Sequence, residues 1–446
     1  MKTLIYIGIV MLFASCEKFL DIKPNQRLAI PSQLKDLQAL MDDVNLISDN
    51  KGGVVGEVSA DDYYLPESAW KGLSQEAHRR IYLWEKDNIF MPLSNEWMLS
   101  YRSVYSTNVV LDNIQEIIPD KTEQDQWNNI KGQAHFIRAR QFFENVLVWS
   151  SIYNENTADQ DLGIPLRLSQ DFNIPSVRPS VRIVYRQVID DLKQAVDLLP
   201  ETPLVKTRAS KPAAYGLLAR VYLAMGRYDS CYHYTDLAMT INSDLIDYRT
   251  EIDPSSIQPF KQFNKEVLFD SYISHPNLYA KNARVDSSLY AMYEASDIRK
   301  TAYFTPENDG SYSFKGYYSI TLFGGVATDE LYLMRAECSA RLGNVEQALL
   351  DLNALLEKRY IRDAFQPVKQ RDPRLLLGII LEERRKELLF SGIRWMDIKR
   401  LNRDGANIKL KRVLGTTGYE LLPGSPRFNL TIPEDVISQS GMPQNP

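Results

Sequence analysis

The chain has 446 residues, 44% of them hydrophobic and 24% charged, a balance that suits a folded globular body and argues against disorder. Its formal net charge of −5 leaves no basic excess for a nucleic-acid partner. Cys16, Cys231 and Cys338 are its only cysteines, too few for a disulfide framework.

The chain begins with a secretory layout. Lys2 supplies a positive start, Leu4 to Phe13 form a short apolar core, and Ala14 and Ser15 are the small residues a signal peptidase needs. This run is too short to remain as a spanning helix, which needs about twenty apolar residues, and no later stretch is apolar enough to serve. Ala14-Ser15-Cys16 matches a bacterial lipobox, with Phe13 where leucine is usual. Cys16 is therefore expected to be lipidated and to become the first residue of the mature chain after residues 1–15 are removed. Several acyl chains on one cysteine anchor firmly, since each buried methylene contributes about 0.8 kcal/mol.

Helical patterns dominate the rest of the chain. In 126–149, Ile130, Ala134, Ile137 and Gln141 recur near one face at helical spacing. In 180–200, Ser180 is placed to cap a helix whose stripe is Val184, Val188, Leu192, Ala195 and Leu199, and Pro200 stops it. An internal repeat comes next. Residues 214–239 align with 331–356, matching Tyr215 to Tyr332, Ala219 to Ala336, Gly226 to Gly343 and Cys231 to Ala348, each pair 117 residues apart. Small residues where two helices approach, with glycine at the turn, mark a tetratricopeptide-type helix pair. Cys231 and Cys338 then read as buried packing groups. Between the repeats, 243–326 lacks helical period and reads as long loops with a few short strands.

Motifs for catalysis are missing from the sequence. It has no G-x-S-x-G, H-E-x-x-H, P-loop or G-x-G-x-x-G. His78, His135, His233 and His275 stand singly, without a second ligand at metal spacing. No catalytic residue, metal or cofactor is assigned. The densest charged segment, 381–401, reads as a helix broken at Gly392 and restarted, with ion pairs at its edge, among them Glu383 with Lys386.

In order along the chain, "CEKFLDIKP", "NEWMLSYRSVYSTNVVLDNI", "GQAHFIRARQFF" leading to "GIPLRL", "VYRQVIDDLKQAVDLLP", "AAYGLLARVYLAMGRY", "ERRKELLFSGIRWMDIKRL" and "IPEDVISQSGMPQNP" resemble the SusD/RagB-type outer-membrane lipoproteins of Bacteroidota. The resemblance runs from Cys16 to Pro446; the ending lacks the Gly-Tyr usual after Gln-Asn-Pro. It implies a mainly α fold, a frame of about four tetratricopeptide-type helical pairs under an irregular, loop-rich binding face with few short strands. It also implies one domain over 16–446, with a helical N-terminal part to 242, a ligand-face insertion over 243–326 and a C-terminal part over 327–446. Members bind nutrients at the cell surface without cleaving them, and work with a TonB-dependent, SusC-like transporter. The implied function is lipid-anchored oligosaccharide capture on the outer side of the outer membrane. A secreted glycoside hydrolase and a tetratricopeptide-type assembly scaffold are the alternatives.

A sugar site needs flat aromatic surfaces beside hydrogen-bonding side chains, because sugars present both C–H faces and hydroxyls. Loops on a rigid frame are where recognition concentrates. The candidates are Asp62, Tyr63, Tyr64 and Trp70 in 59–70, and Tyr272, Asn277 and Tyr279 in 271–284, with Tyr317 from 311–319 beside Tyr312 and Tyr318. An aromatic of the first cluster is expected to meet one from the later loops.

Overall fold

A computed structural model describes residues 31–446. Cys16, with its lipidation, and the "CEKFLDIKP" mark lie outside the described residues. Helix accounts for 49% and strand for 8%. The main helices are α1 (Leu34–Met41), α2 (Lys51–Ser59), α3 (Glu96–Asn113), α4 (Gln124–Trp149), α5 (Val181–Leu198), α6 (Lys211–Met225), α7 (Tyr228–Ile241), α8 (Thr328–Arg341), α9 (Val345–Glu357), α10 (Pro373–Glu387) and α11 (Arg394–Arg403). Successive helices pack in series: α4 lies against α3 and α5, α6 against α5 and α7, and α8 against α7, α9 and α10. This is the tetratricopeptide-type frame with few short strands.

The local chemistry explains where these helices start and stop. The Ser180 side chain accepts a hydrogen bond from the Ile183 amide and opens α5, whose Val184, Val188, Leu192 and Ala195 are buried as the stripe requires. Helix α4 departs from the single stripe. From Gln133 onward nearly every residue is buried, because α4 has neighbours on several sides: α1 and α2 pack against it as well as α3 and α5. The 117-residue repeat is matched by the elements themselves, since α6 and α8 begin at Lys211 and Thr328, and α7 and α9 at Tyr228 and Val345. Gly226 and Gly343 take φ of 77° and 81° at the two turns, the left-handed region that suits glycine. Cys231 and Ala348 are both fully buried. Cys338 is buried against Cys231 across the α7–α8 contact, and burial followed by that contact pushes its thiol well up.

The main core runs through the described chain, from Leu34 to Met442, and a smaller one gathers Trp84, Trp395, Leu410, Leu421 and Phe428. Charges run through the main core too. Arg220 pairs with Glu330 (2.5 Å), Glu330 with Arg384 (3.3 Å), Arg384 with Asp397 (2.8 Å), Asp397 with Arg400 (2.8 Å) and Arg400 with Glu337 (2.6 Å). This ladder of alternating sign joins α6, α8, α10 and α11. The ion pairs of 381–401 are thus not at an edge: Glu383, Arg384, Lys386 and Glu387 are all buried, and only the Glu383–Lys386 and Asp397–Arg400 pairs (both 2.8 Å) follow the helix spacing rule. Sequence spacing shows pairs within a helix, whereas here most partners come from other elements.

The strands are short antiparallel pairs. β1 (Tyr63–Tyr64) pairs with β4 (Arg284–Val285), β2 (Val267–Phe269) with β8 (Val326–Ala327), β3 (Tyr272–Ile273) with β7 (Leu322–Phe323), and β5 (Phe304–Pro306) with β6 (Tyr312–Phe314). A longer hairpin, β9 (Leu410–Leu414) with β10 (Thr417–Leu421), lies in the C-terminal part, beyond the 243–326 stretch expected to hold strands. Its signal was alternation: Leu410, Arg412 and Leu414 face inward while Lys411 and Val413 face out.

Candidate ligand-binding face

The two aromatic clusters converge. β1 carries the first cluster and β4 follows the second, and the ladder sets Tyr63 opposite Val285 and Tyr64 opposite Arg284. β6, with Tyr312, lies beside β4. The turn over Pro276–Leu278 packs on the helical segment Glu76–Tyr82, and Asn277 fastens the two by donating to the His78 carbonyl at 2.8 Å.

Five of the eight candidates are built into the fold, three of them buried and two half-buried. Tyr63 is 1% exposed, and its hydroxyl donates to the Val58 carbonyl at 2.9 Å. The Arg412 guanidinium lies 4.7, 4.3 and 5.2 Å from the ring centroids of Tyr63, Tyr82 and Trp84, and donates to the Tyr63 and Ala60 carbonyls. Asp62 is buried against Arg385 (3.1 Å), and burial lifts its carboxyl above the usual range against the pull of Arg385 and Arg394. In neighbouring Asp61, burial is outweighed by Arg394, which binds it at 2.7 Å and holds it low. Asn277 is fully buried. The Tyr272 backbone bridges to Ser48 and Asn50, and its hydroxyl is pushed up to about 12 by burial and then by Asp49. Tyr317 is half-buried with its ring 5.8 Å from Phe314.

The accessible aromatics are Tyr64 and Trp70, both half-buried, and Tyr279, 44% exposed. The Trp70 indole donates to the Arg79 carbonyl at 3.1 Å, which fixes the ring. Sequence reading passed over Tyr290, which stacks on Tyr312 at 3.6 Å and 15° with Lys300 lying 5.0 Å over it. Its signal was the Asp286 cap: the carboxylate accepts from the Leu289 amide (3.0 Å) and starts the short helix that presents the ring. Arg284 and Glu307 pair beside the stack at 3.6 Å. Beneath lies a layer of buried Tyr293, Tyr303, Phe304 and Phe314. The face offers fixed rings and a paired charge, which can hold a hydroxylated ligand.

Two histidines lie beside it. His78 and His275 meet edge to face with centroids 4.4 Å apart, and burial lowers both below the usual imidazole range. The Asn277 amide donates to His275 Nδ1 (3.2 Å), which therefore carries no proton. Among the described residues there is no group of three or more His, Cys, Asp or Glu that could hold a metal, and no helix long and apolar enough to cross a membrane.

Known proteins share this architecture. Residues 18–223 match a family described as starch-binding and associating with the outer membrane, and residues 329–421 match the SusD family. The SusD-like protein P2 of Formosa agariphila is 24% identical over 419 residues, covering 78% of this chain and 79% of its own. A SusD superfamily protein from Bacteroides thetaiotaomicron has the same fold with a TM-score of 0.76 and 22% identity, over 93% of this chain and 100% of that one. A SusD-like carbohydrate binding protein from Bacteroides vulgatus superposes with a TM-score of 0.68 and 20% identity, over 92% of this chain and 97% of that one.

Proposed function

We propose, from the premise that this chain belongs to the SusD family of outer-membrane-associated sugar-binding proteins, that it captures an oligosaccharide at the cell surface and passes it uncleaved to a TonB-dependent, SusC-like transporter. The observation that carries the reading is the convergence of two sequence-distant aromatic clusters, through β1 and β4, on one loop-borne face above a rigid frame. Tyr64, Trp70 and Tyr279 are the stacking residues, joined by the Tyr290–Tyr312 pair; Asp62, Tyr63, Tyr272, Asn277 and Tyr317 shape the face from below. Residues 1–15 are a signal peptide, Cys16 carries the lipid, and 243–326 is the ligand-bearing part of one unit.

A glycan array probed with the purified chain tests the ligand class, with a hydrolysis assay on each glycan retained. Binding without new reducing ends is the expected result; product formation returns the chain to the hydrolases, and no retained glycan removes the sugar reading. Palmitate labelling of wild type against Cys16→Ala tests the anchor, and equal labelling rejects it. Protease treatment of intact cells tests the outward orientation.

A further inference from the structure

A second recess shares no residue with the loop face. It lies between α3, the loop 165–176 and the segment 436–442, and has a volume of about 590 Å³, within the roughly 300–1,000 Å³ usual for small-molecule sites. Helix α3 forms one wall: Trp97, Tyr101 and Tyr105, four residues apart, share one helix face. Trp97 and Tyr101 have ring centroids 5.0 Å apart; Trp97 is buried at the base and Tyr105 is 48% exposed at the mouth. Phe172, 78% exposed, stands on the loop.

That loop is built, not slack. The Tyr101 hydroxyl donates to the Pro165 carbonyl (2.7 Å), Asn108 Nδ2 to the Arg167 carbonyl (2.9 Å), and the Gln170 amide to Asp112 (2.9 Å). Arg167 turns inward and donates to the Asp171 carbonyl (2.8 Å) and the Ile174 carbonyl. The bonds leave Phe172 and Ile174 facing solvent on a fixed scaffold. A long loop without helix or strand, pinned so that its apolar groups face out, is the form binding loops take. Among the described residues Arg167 is also the only charged one lining the recess, and its guanidinium is occupied. The other polar lining groups, among them Asn173 and Gln439, are uncharged.

We propose that this recess is a second carbohydrate site, which takes a neutral oligosaccharide segment with Tyr105 and Phe172 as stacking platforms and Asn173 and Gln439 as hydroxyl partners. It shares the ligand class of the loop face but not its residues, and does not depend on that face binding. Calorimetry on the purified chain uses maltotriose, cellotriose, laminaritriose and mannotriose, with trigalacturonate as the charged counterpart. Tyr105→Ala and Phe172→Ala remove exposed rings, so both variants are expected to keep the wild-type melting transition. Each should weaken at least one neutral trisaccharide about tenfold, with trigalacturonate weaker still, while Trp70→Ala leaves that binding intact. Binding lost in Trp70→Ala and untouched by the other two supports the loop face and overturns the second site. Binding that none of the three variants weakens, or no binding at all, overturns it as well. So does self-association of the chain that Phe172→Ala abolishes, which makes the patch a contact between copies.

Discussion

The helical frame and the loop-bearing face handle polarity in opposite ways. In the frame, charges are sunk into the core and cancelled by one another, as in the Arg220–Glu330–Arg384–Asp397–Arg400–Glu337 ladder. On the face, charges such as the Arg284–Glu307 pair and Lys300 lie at the surface, and aromatic rings remain accessible beside them, as at Tyr279 and the Tyr290–Tyr312 stack. Helix α10 joins the two. Arg384 reaches into the frame, Arg385 reaches Asp61 and Asp62 under β1, and Glu387 binds Arg299 (2.8 Å) and Arg359 (2.7 Å) beneath the loops. A paired buried charge adds little net stability, but removing one partner is costly. The ladder therefore fixes register more than it adds stability, and recognition is left to groups that can be changed without unfolding the frame.

The sharpest way to break this comparison is to strip one rung. Arg400 is fully buried between Glu337 and Asp397, so Arg400→Met leaves Glu337 to Arg341 (2.9 Å) and Asp397 to Arg384 (2.8 Å), one cation short in the core, and should cost about 3 kcal/mol in urea unfolding. Its counterpart in the loops, Lys265→Ala, removes an exposed pair with Glu251 (2.6 Å) and should cost less than about 1 kcal/mol. Equal costs would erase the distinction.

A smaller effect comes from Glu144 on α4, a frame carboxylate that no hydrogen bond satisfies. Burial raises its pKa from 4.5 to about 7, against the pull of Arg140 and Arg220 and with a push from Asp49. Between those values the folded chain holds a proton that the unfolded chain has lost. The group's contribution is therefore most favourable below pH 4.5, and stability falls as pH rises towards 7. Glu144→Gln should be more stable than wild type at pH 8 by about 2–3 kcal/mol, with a much smaller gain at pH 5. A gain of the same size at both pH values would mean the carboxylate is not the cause. Cys231→Phe, at the close approach of α7 and α8, should cost about 1–3 kcal/mol by overpacking, and an unchanged melting transition would contradict the repeat.

How much could be read from the sequence depends on the distance over which each feature is determined. The Ser180 cap, the glycines at 226 and 343 and the α5 stripe are set by neighbours within a turn or two, and the sequence shows them directly. The 117-residue repeat extends that reach by comparing the chain with itself. Tyr63 looked like a surface aromatic because the Arg412 that encloses it is 349 residues away. Asn277 looked like a ligand group for the same reason, its partner being the His78 carbonyl 199 residues back. Ion pairs were expected at a helix edge because spacing reveals only partners on the same helix. Residue spacing alone could not have placed β1 against β4.

The smallest effect separates aromatics that bind from aromatics that build. Tyr63→Phe deletes a buried hydroxyl bonded to the Val58 carbonyl, so it should cost about 0.5–1.5 kcal/mol in stability and nothing in affinity. Trp70→Ala, Tyr64→Ala and Tyr279→Ala should do the reverse. Each removes a half-buried or exposed ring at the loop face, and loss of one stacking surface should weaken a glycan found on the array by about 1 kcal/mol, roughly five- to tenfold. Tyr279 is the most exposed of the three and should show the cleanest split, with affinity reduced and the melting transition unmoved. Trp70 also holds the Arg79 carbonyl, so Trp70→Phe, which keeps a ring and loses that bond, serves as its control. Affinity retained in Trp70→Phe but lost in Trp70→Ala points to the ring face as the contact. If all three alanine variants keep wild-type affinity, the sugar is held elsewhere on the chain and this face is only a covering for the frame.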